Sequence, residues 1–215
     1  MIYDAHAHWP RKIRPNDQHL YKIIQNWDYW KFPKQYPENP FSAGLHPWYL
    51  DEFETPKEVI SFLDQHAAHP NCVAIGECGL DYFKLNHSQE QQMMVFETIL
   101  KWRKINKPLV IHSVKSETAI LKILKEQNYQ GPLVWHNYLL KEFPKTPFPL
   151  FASLSFRFFQ MPEENKRKIL GSIPINRLLI ESDELEDAPL GDYLSELKLS
   201  QEQLAENFKL AFGQF

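Results

Sequence analysis

The chain has 215 residues, 43% of them hydrophobic and 24% charged, enough to bury one core; this excludes a disordered or low-complexity polypeptide and makes a single domain over residues 1–215 the expectation. With 24 basic and 27 acidic residues the formal charge is -3, so no global positive field exists to recruit nucleic acid, and any anion site must be local. The two cysteines, Cys72 and Cys78, are too few for a disulfide framework, and neither a leader-like N-terminus nor a long apolar window occurs, so a soluble cytoplasmic protein without membrane association is expected.

Taken in chain order, a strand is predicted at Ile2 to His6, then a helix at Asp17 to Trp27. The following WDYWKFPKQYPENP is aromatic and punctuated by proline, so residues 9–40 read as an irregular rim or lid. A strand at Phe41 to His46 precedes Thr55-Pro56-Lys57-Glu58, whose hydroxyl and carboxylate satisfy the free amides of a helix start; Val59, Phe62, Leu63 and His66 then share one face. Val73 to Glu77 is the next strand, and Ser88-Gln89-Glu90-Gln91 opens a helix with Met93, Phe96 and Leu100 inward. Strands follow at Leu109 to His112, Leu133 to His136, Phe151 to Phe156 and Leu178 to Asp183, and Ser200-Gln201-Glu202-Gln203 starts a last helix that docks through Leu204, Phe208 and Ala211. This alternation of strands and helices is the α/β pattern of a parallel sheet, with seven strands legible.

The chemistry lies in how the apolar runs end. AGLH stops at His46, AIGE at Glu77, LVIH at His112, LVWH at His136 and LLIESD at Asp183, and the first strand carries His6 and His8 two residues apart, on one side of an extended chain. Parallel strands bring such ends to one face, where a TIM-like (β/α) barrel assembles its active site. His6, His8, Glu77, His112, His136 and Asp183 exceed one tetrahedral shell and suit two divalent ions sharing Glu77. Imidazole without thiolate favours Zn, Mn, Fe or Ni over Mg, and the choice among the five stays open. Two ions against the two charges of Glu77 and Asp183 leave a positive mouth suited to a phosphoester, with Asp183 taking a proton from the attacking water and Glu77 as the other catalytic carboxylate. No Gly-x-Ser-x-Gly elbow, P-loop or dinucleotide fingerprint occurs, which removes those enzyme classes.

These segments resemble, in order, those of the TatD-like metal-dependent deoxyribonucleases of the amidohydrolase superfamily: DAHAH, GLHPW, AIGECGLDY, PLVIHS, LVWHNY and RLLIESD. The resemblance covers residues 1 to 8 and most of 41 to 215. It implies a TIM-like barrel and a divalent-metal hydrolase of phosphodiesters, a DNase or exonuclease with single-stranded DNA as its substrate partner and no obligate protein partner. By that likeness His6 and His8 bind one metal, Glu77 bridges, His112 and His136 bind the second, Asp183 completes the first, and His46 lies near the substrate phosphate. The chain departs from the pattern in a short segment between His8 and Gly44 that lacks the family's apolar second strand, which leaves open whether the barrel is complete or distorted. Val114 and Lys115 stand where the family commonly places an arginine, and Glu184-Leu185 replaces its Ser-Pro; both changes lower the expected polyanion affinity.

Simpler readings apply to other residues. His46 also fits capping or core packing, since Pro47 holds it extended. His19, His66, His69 and His87 read as surface residues, and Cys78 as a small buried hydrophobe on the face opposite Glu77. Trp27, Tyr29, Trp30, Phe32 and Tyr36 either stack on bases or pack over a barrel end, Tyr82 is the better stacking candidate, and Lys115 and Arg157 are phosphate contacts or solvated charges. Two alternatives to the nuclease remain: a hydrolase of small amides, lactones or phosphoesters, and a metal-binding module without turnover.

Overall fold

In the computed structural model, which describes residues 1–8, 21–84, 86–102 and 106–213, eight parallel strands pair in chain order: β1 (Ile2–His8), β2 (Tyr21–Asn26), β3 (Phe41–Ala43), β4 (Cys72–Asp81), β5 (Leu109–Val114), β6 (Leu133–Trp135), β7 (Leu150–Leu154) and β8 (Leu178–Ile180). The sheet meets itself where Ala7 bridges Asp183: the Asp183 amide donates to the His6 carbonyl at 3.0 Å and the His8 amide to the Asp183 carbonyl at 3.2 Å. The result is a nearly closed TIM-like barrel. Helices α1 (Pro56–His66), α2 (Gln89–Lys101), α3 (Glu117–Glu126), α4 (Phe156–Phe159), α5 (Glu163–Ser172), α6 (Leu190–Leu197) and α7 (Gln201–Phe212) lie in the connections and after β8. Among the described residues, the β2–β3 and β6–β7 connections carry none. No helix of the described residues is long and apolar enough to cross a membrane.

The expected helix from Asp17 to Trp27 is corrected. Asp17 to Leu20 lie outside the described residues, and the rest is β2, so the barrel has eight strands rather than the seven legible in the sequence. Ile23 and Ile24 are both buried, as in a strand covered on two faces, and a run so short has no period that separates it from a helix turn. Its polar end, Gln25 and Asn26, is also buried; the Asn26 side-chain oxygen accepts the Glu77 amide at 3.0 Å. Several strand ends also move: β4 runs on to Asp81, whereas β3 stops at Ala43 and β8 at Ile180. Capping follows the sequence signals, with Ser88 accepting the Gln91 amide and Ser200 the Gln203 amide, each at 3.1 Å. Val59, Phe62, Leu63 and His66 form the buried face of α1, and Leu204, Phe208 and Ala211 that of α7.

The surface reading of four histidines does not hold for those described; His19 lies outside them. His66 is buried, its Nδ1 2.7 Å from the Tyr36 hydroxyl, because Trp27 and Tyr36 fold into the core against α1. His87 receives the Leu50 amide at 3.0 Å, and His69 is half-buried against the Tyr36 ring. Tyr29 also packs against Phe62, so this part of the aromatic segment is structural.

The β4–β5 pairing sets the position of the metal-ligand candidates. Its register slips between Ile75 and Cys78, and that of β1–β2 between Asp4 and Ala7; each irregularity brackets a candidate ligand, Glu77 or His6, whose side chain it re-aims. Gly79 lies opposite His112 with φ of 139°, and a Cβ there would stand 2.1 Å from the His112 carbonyl oxygen. Gly79→Ala is therefore expected to push β5 away and cost at least about 1–3 kcal/mol, read as a lower urea midpoint. An unchanged midpoint would show that β5 yields freely.

Candidate metal centre

The ends of β1, β4, β5 and β6 and the segment after β8 converge on Glu77, which is 2% exposed. Its Oε1 lies 2.8 Å from His112 Nδ1, 3.5 Å from His136 Nε2 and 3.6 Å from His46 Nε2, and its Oε2 lies 3.5 Å from His6 Nε2. Asp183 Oδ1 is 3.5 Å from His8 Nε2 and 3.8 Å from His136 Nε2. Three donor sets are compact enough to surround an ion: His6, His8 and Asp183; His6, Glu77 and His136; and His46, Glu77 and His112. All six ligands inferred from strand ends thus meet in one place. His46 joins them, with its Nδ1 accepting the Trp48 amide at 3.1 Å and its Nε2 turned inward.

The donor set fits a divalent cation on grounds of polar satisfaction. Neither ring nitrogen of the fully buried His6, nor Glu77 Oε2, has a hydrogen bond. Buried polar atoms left in that state are costly unless something binds them. Borderline imidazole and hard carboxylate together are the donors that such ions take.

Three carboxylates that the strand-end reading missed stand behind the histidines. The imidazole of His8 donates from Nδ1 to Asp28 at 3.0 Å, His112 donates from Nε2 to Asp81 at 3.1 Å, and His136 Nδ1 lies 2.8 Å from Glu181 Oε1. Each fixes a ring so that its other nitrogen faces the centre, the arrangement of an outer carboxylate orienting a metal-binding histidine. Asp81 is itself held by the Trp48 indole N–H at 2.7 Å and by the Phe83 and Lys84 amides. Asp28 also receives Asn26 Nδ2 at 3.1 Å and Lys31 Nζ at 3.0 Å. The sequence carried a signal for each: KIIQNWD is another apolar run leading to a carboxylate, Asp81 sits within GLDY, and Glu181 precedes Asp183 by two. Asp81→Asn and Glu181→Gln are each expected to weaken metal affinity about 10- to 100-fold, measured by calorimetric titration of stripped protein. Unchanged affinity would make these contacts purely structural.

These charges set the protonation of the centre. Burial disfavours the Glu77 carboxylate, but the imidazoles of His136 and His46, with hydrogen bonds from His112, hold its carboxyl well below the usual range. Burial likewise opposes charge on His136, yet Glu181, Glu77 and Asp183 push its pKa up to about 10. Burial raises and His136 and His8 lower the Asp183 carboxyl, which settles at about 2. In His6 burial prevails, reinforced by His136, and keeps the ring neutral. Buried Asp28, Asp81 and Glu181 add to the carboxylates of Glu77 and Asp183, and Lys31 on Asp28 offsets part of that charge.

A cleft of about 440 Å³ opens over the centre, reaching from His8, His136 and Asp183 to the rim residues Lys84, Arg157 and Glu184. One wall is aromatic, with Trp30 stacked on Tyr49 at 4.1 Å and Lys84 Nζ 3.6 Å above the Trp48 ring. Tyr82, expected to stack on substrate, does not line the cleft but packs partly against the core, while its neighbour Phe83 lines it at 71% exposure. The chain bends after Asp81, whose carboxylate accepts the Phe83 and Lys84 amides, and the bend carries Phe83 to the rim. Lys115 lines an adjoining cavity instead. A larger hollow of about 720 Å³, lined by Tyr3, Lys22 and residues of α7, lies at the opposite end of the barrel from these donors.

Comparison with known proteins places this barrel and its centre. The TatD related DNase family model matches residues 20–206, and the chain belongs to this family. An uncharacterized metal-dependent hydrolase of Buchnera aphidicola is 31% identical over 167 residues, covering 74% of this chain and 62% of that protein. The 3'-5' ssDNA/RNA exonuclease TatD of Pantoea vagans is 28% identical over 148 residues, 66% of this chain and 56% of the relative. The match thus spans about six tenths of these relatives. Among solved structures, the TatD homolog YJJV of Escherichia coli superposes with a TM-score of 0.71 at 18% identity, over 100% of this chain and 98% of that one, which establishes the shared fold.

Proposed function

We propose that the chain is a divalent-metal-dependent phosphodiesterase that hydrolyses single-stranded nucleic acid, with DNA as the first substrate to test. The observation that carries this reading is a buried glutamate among four imidazoles within 3.6 Å, with both nitrogens of His6 left without hydrogen bonds at the mouth of a parallel barrel. Two ions are proposed to share Glu77: one held by His6, His8 and Asp183, the other by His112 and His136, while His46, whose Nδ1 accepts the Trp48 amide and whose Nε2 therefore carries the proton, faces the centre as a donor to the substrate phosphate. Bound there, divalent ions supply Lewis acidity, acidifying a water and offsetting charge on the phosphoryl oxygens. Asp183 lines the cleft and accepts the proton of the attacking water. Asp28, Asp81 and Glu181 hold the rings of His8, His112 and His136 in place. Lys84 and Arg157 at the cleft rim add to the attraction for phosphate. The named activities of the Pantoea vagans relative support a nucleic-acid substrate. Two free, buried cysteines are compatible with a reducing compartment, and a cytoplasmic location is part of the proposal.

The test is hydrolysis of end-labelled single-stranded DNA and of a chromogenic phosphodiester by stripped protein given Mg, Mn, Zn, Fe or Ni in turn. Cleavage of both, abolished by chelation, is the expected result and identifies the working metal. Turnover of the small ester without cleavage of DNA would contradict the substrate. No turnover with any metal would contradict the reading altogether.

A further inference from the structure

Beside the cleft lies a second cavity of about 270 Å³, between the loop that follows β5 and the loop that follows β6. It shares His112, Val114, His136, Asn137 and Arg157 with the cleft, so the two cavities adjoin. Val114, Trp135, Leu139 (36% exposed) and Leu140 give it an apolar wall, the Asn137 amide supplies a polar edge, and Ser113 and Glu117 also line it. Lys115 and Arg157 line it as well. Neither has a carboxylate partner within ion-pair distance among the described residues, unlike Lys31, which is paired with Asp28 at 3.0 Å. The Lys115 ammonium stands 4.6 Å above the exposed Phe83 ring, at the boundary between the two spaces. Lys115 and Asn137 both have left-handed backbone, with φ of 54° and 51°.

We propose that this cavity is a nucleobase subsite: it seats one unstacked base of the strand whose phosphodiester lies over the metal centre, while Lys115 and Arg157 hold the flanking phosphates. The inference rests on the phosphodiesterase reading and deepens it. A flat heteroaromatic ring suits an apolar wall with one amide edge, and two unpaired cations complement the charge of the adjoining backbone. The volume is sufficient for one base with part of its sugar, and a base stacked in a duplex reaches such a side cavity only if its nucleotide is extruded. Selection for single strands then follows from the shape of this cavity rather than from the metals.

The experiment is fluorescence anisotropy with Mn-loaded protein and a labelled thymidine hexamer with phosphorothioate linkages, in which one abasic residue is moved through the six positions. One position is expected to weaken binding about tenfold or more on loss of its base, the size of one stacking contact. Leu139→Trp, which fills the cavity, is expected to weaken the intact hexamer by a similar factor and to remove the dependence on that position. Equal binding of all abasic hexamers to the unaltered protein would overturn the subsite whatever the variant does. Retention of the position effect in a folded Leu139→Trp protein would overturn its location. Base-dependent binding without hydrolysis of any phosphodiester would keep the subsite and remove the enzymatic reading, whereas hydrolysis without base dependence would do the reverse.

Discussion

Glu77→Gln is expected to leave a folded barrel that fails to bind the two metal ions proposed to share this carboxylate. The glutamate is buried, and its two oxygens face His6, His46, His112 and His136 within 3.6 Å, so no other side chain approaches so many of the donors. The carboxamide removes the charge that compensates two cations and replaces one acceptor oxygen with an N–H donor aimed at the imidazoles. Loss of an outer carboxylate costs about 10- to 100-fold in affinity or activity, and loss of a shared inner one is expected to exceed that range. Metal content after gel filtration and turnover of the chromogenic ester should fall together in Glu77→Gln, with Glu77→Asp intermediate because it keeps the charge on a shorter stem. Full metal occupancy in Glu77→Gln would show that the imidazoles alone suffice.

Asp183→Asn separates proton transfer from assembly of the centre. Asp183 lines the cleft, meets His8 and His136 at 3.5 and 3.8 Å, and is fixed by the backbone bonds that close β1 against the segment after β8. The amide keeps an oxygen for coordination but cannot accept the water's proton. Turnover is expected to fall about 10²- to 10⁴-fold, the usual size of a lost general base, with one ion or more retained. Turnover within a few fold of the unaltered protein would assign proton transfer to another group.

What the sequence reveals is set by which residues carry periodic or terminal signals. The six ligand candidates were legible because parallel strands convert the rule that an apolar run ends on a donor into convergence at one barrel face. β2 was not, since KIIQN is too short to have a period and ends in amides buried through the Glu77 amide and its neighbours. Reading it as a helix hid Asp28, which follows β2 as Asp183 follows β8. His46 faces the centre with an Nε2 proton because the Trp48 amide occupies its Nδ1, a setting that no strand-end signal carries. Counting only presumed ligands at the mouth omits the carboxylates behind them and the Lys31 ammonium on Asp28. Tyr82 gives way to Phe83 at the cleft because the chain bends at the end of β4, where the Asp81 carboxylate takes the Phe83 and Lys84 amides, a turn that no sequence period marks.

The most direct test of a metal centre built on Glu77 is anomalous scattering from crystals of the protein equilibrated with Mn. Two peaks are expected, both within coordination distance of Glu77, with His6, His8 and Asp183 around one and His112 and His136 around the other. Crystals that take up Mn only elsewhere, with Glu77 bare, would contradict the account.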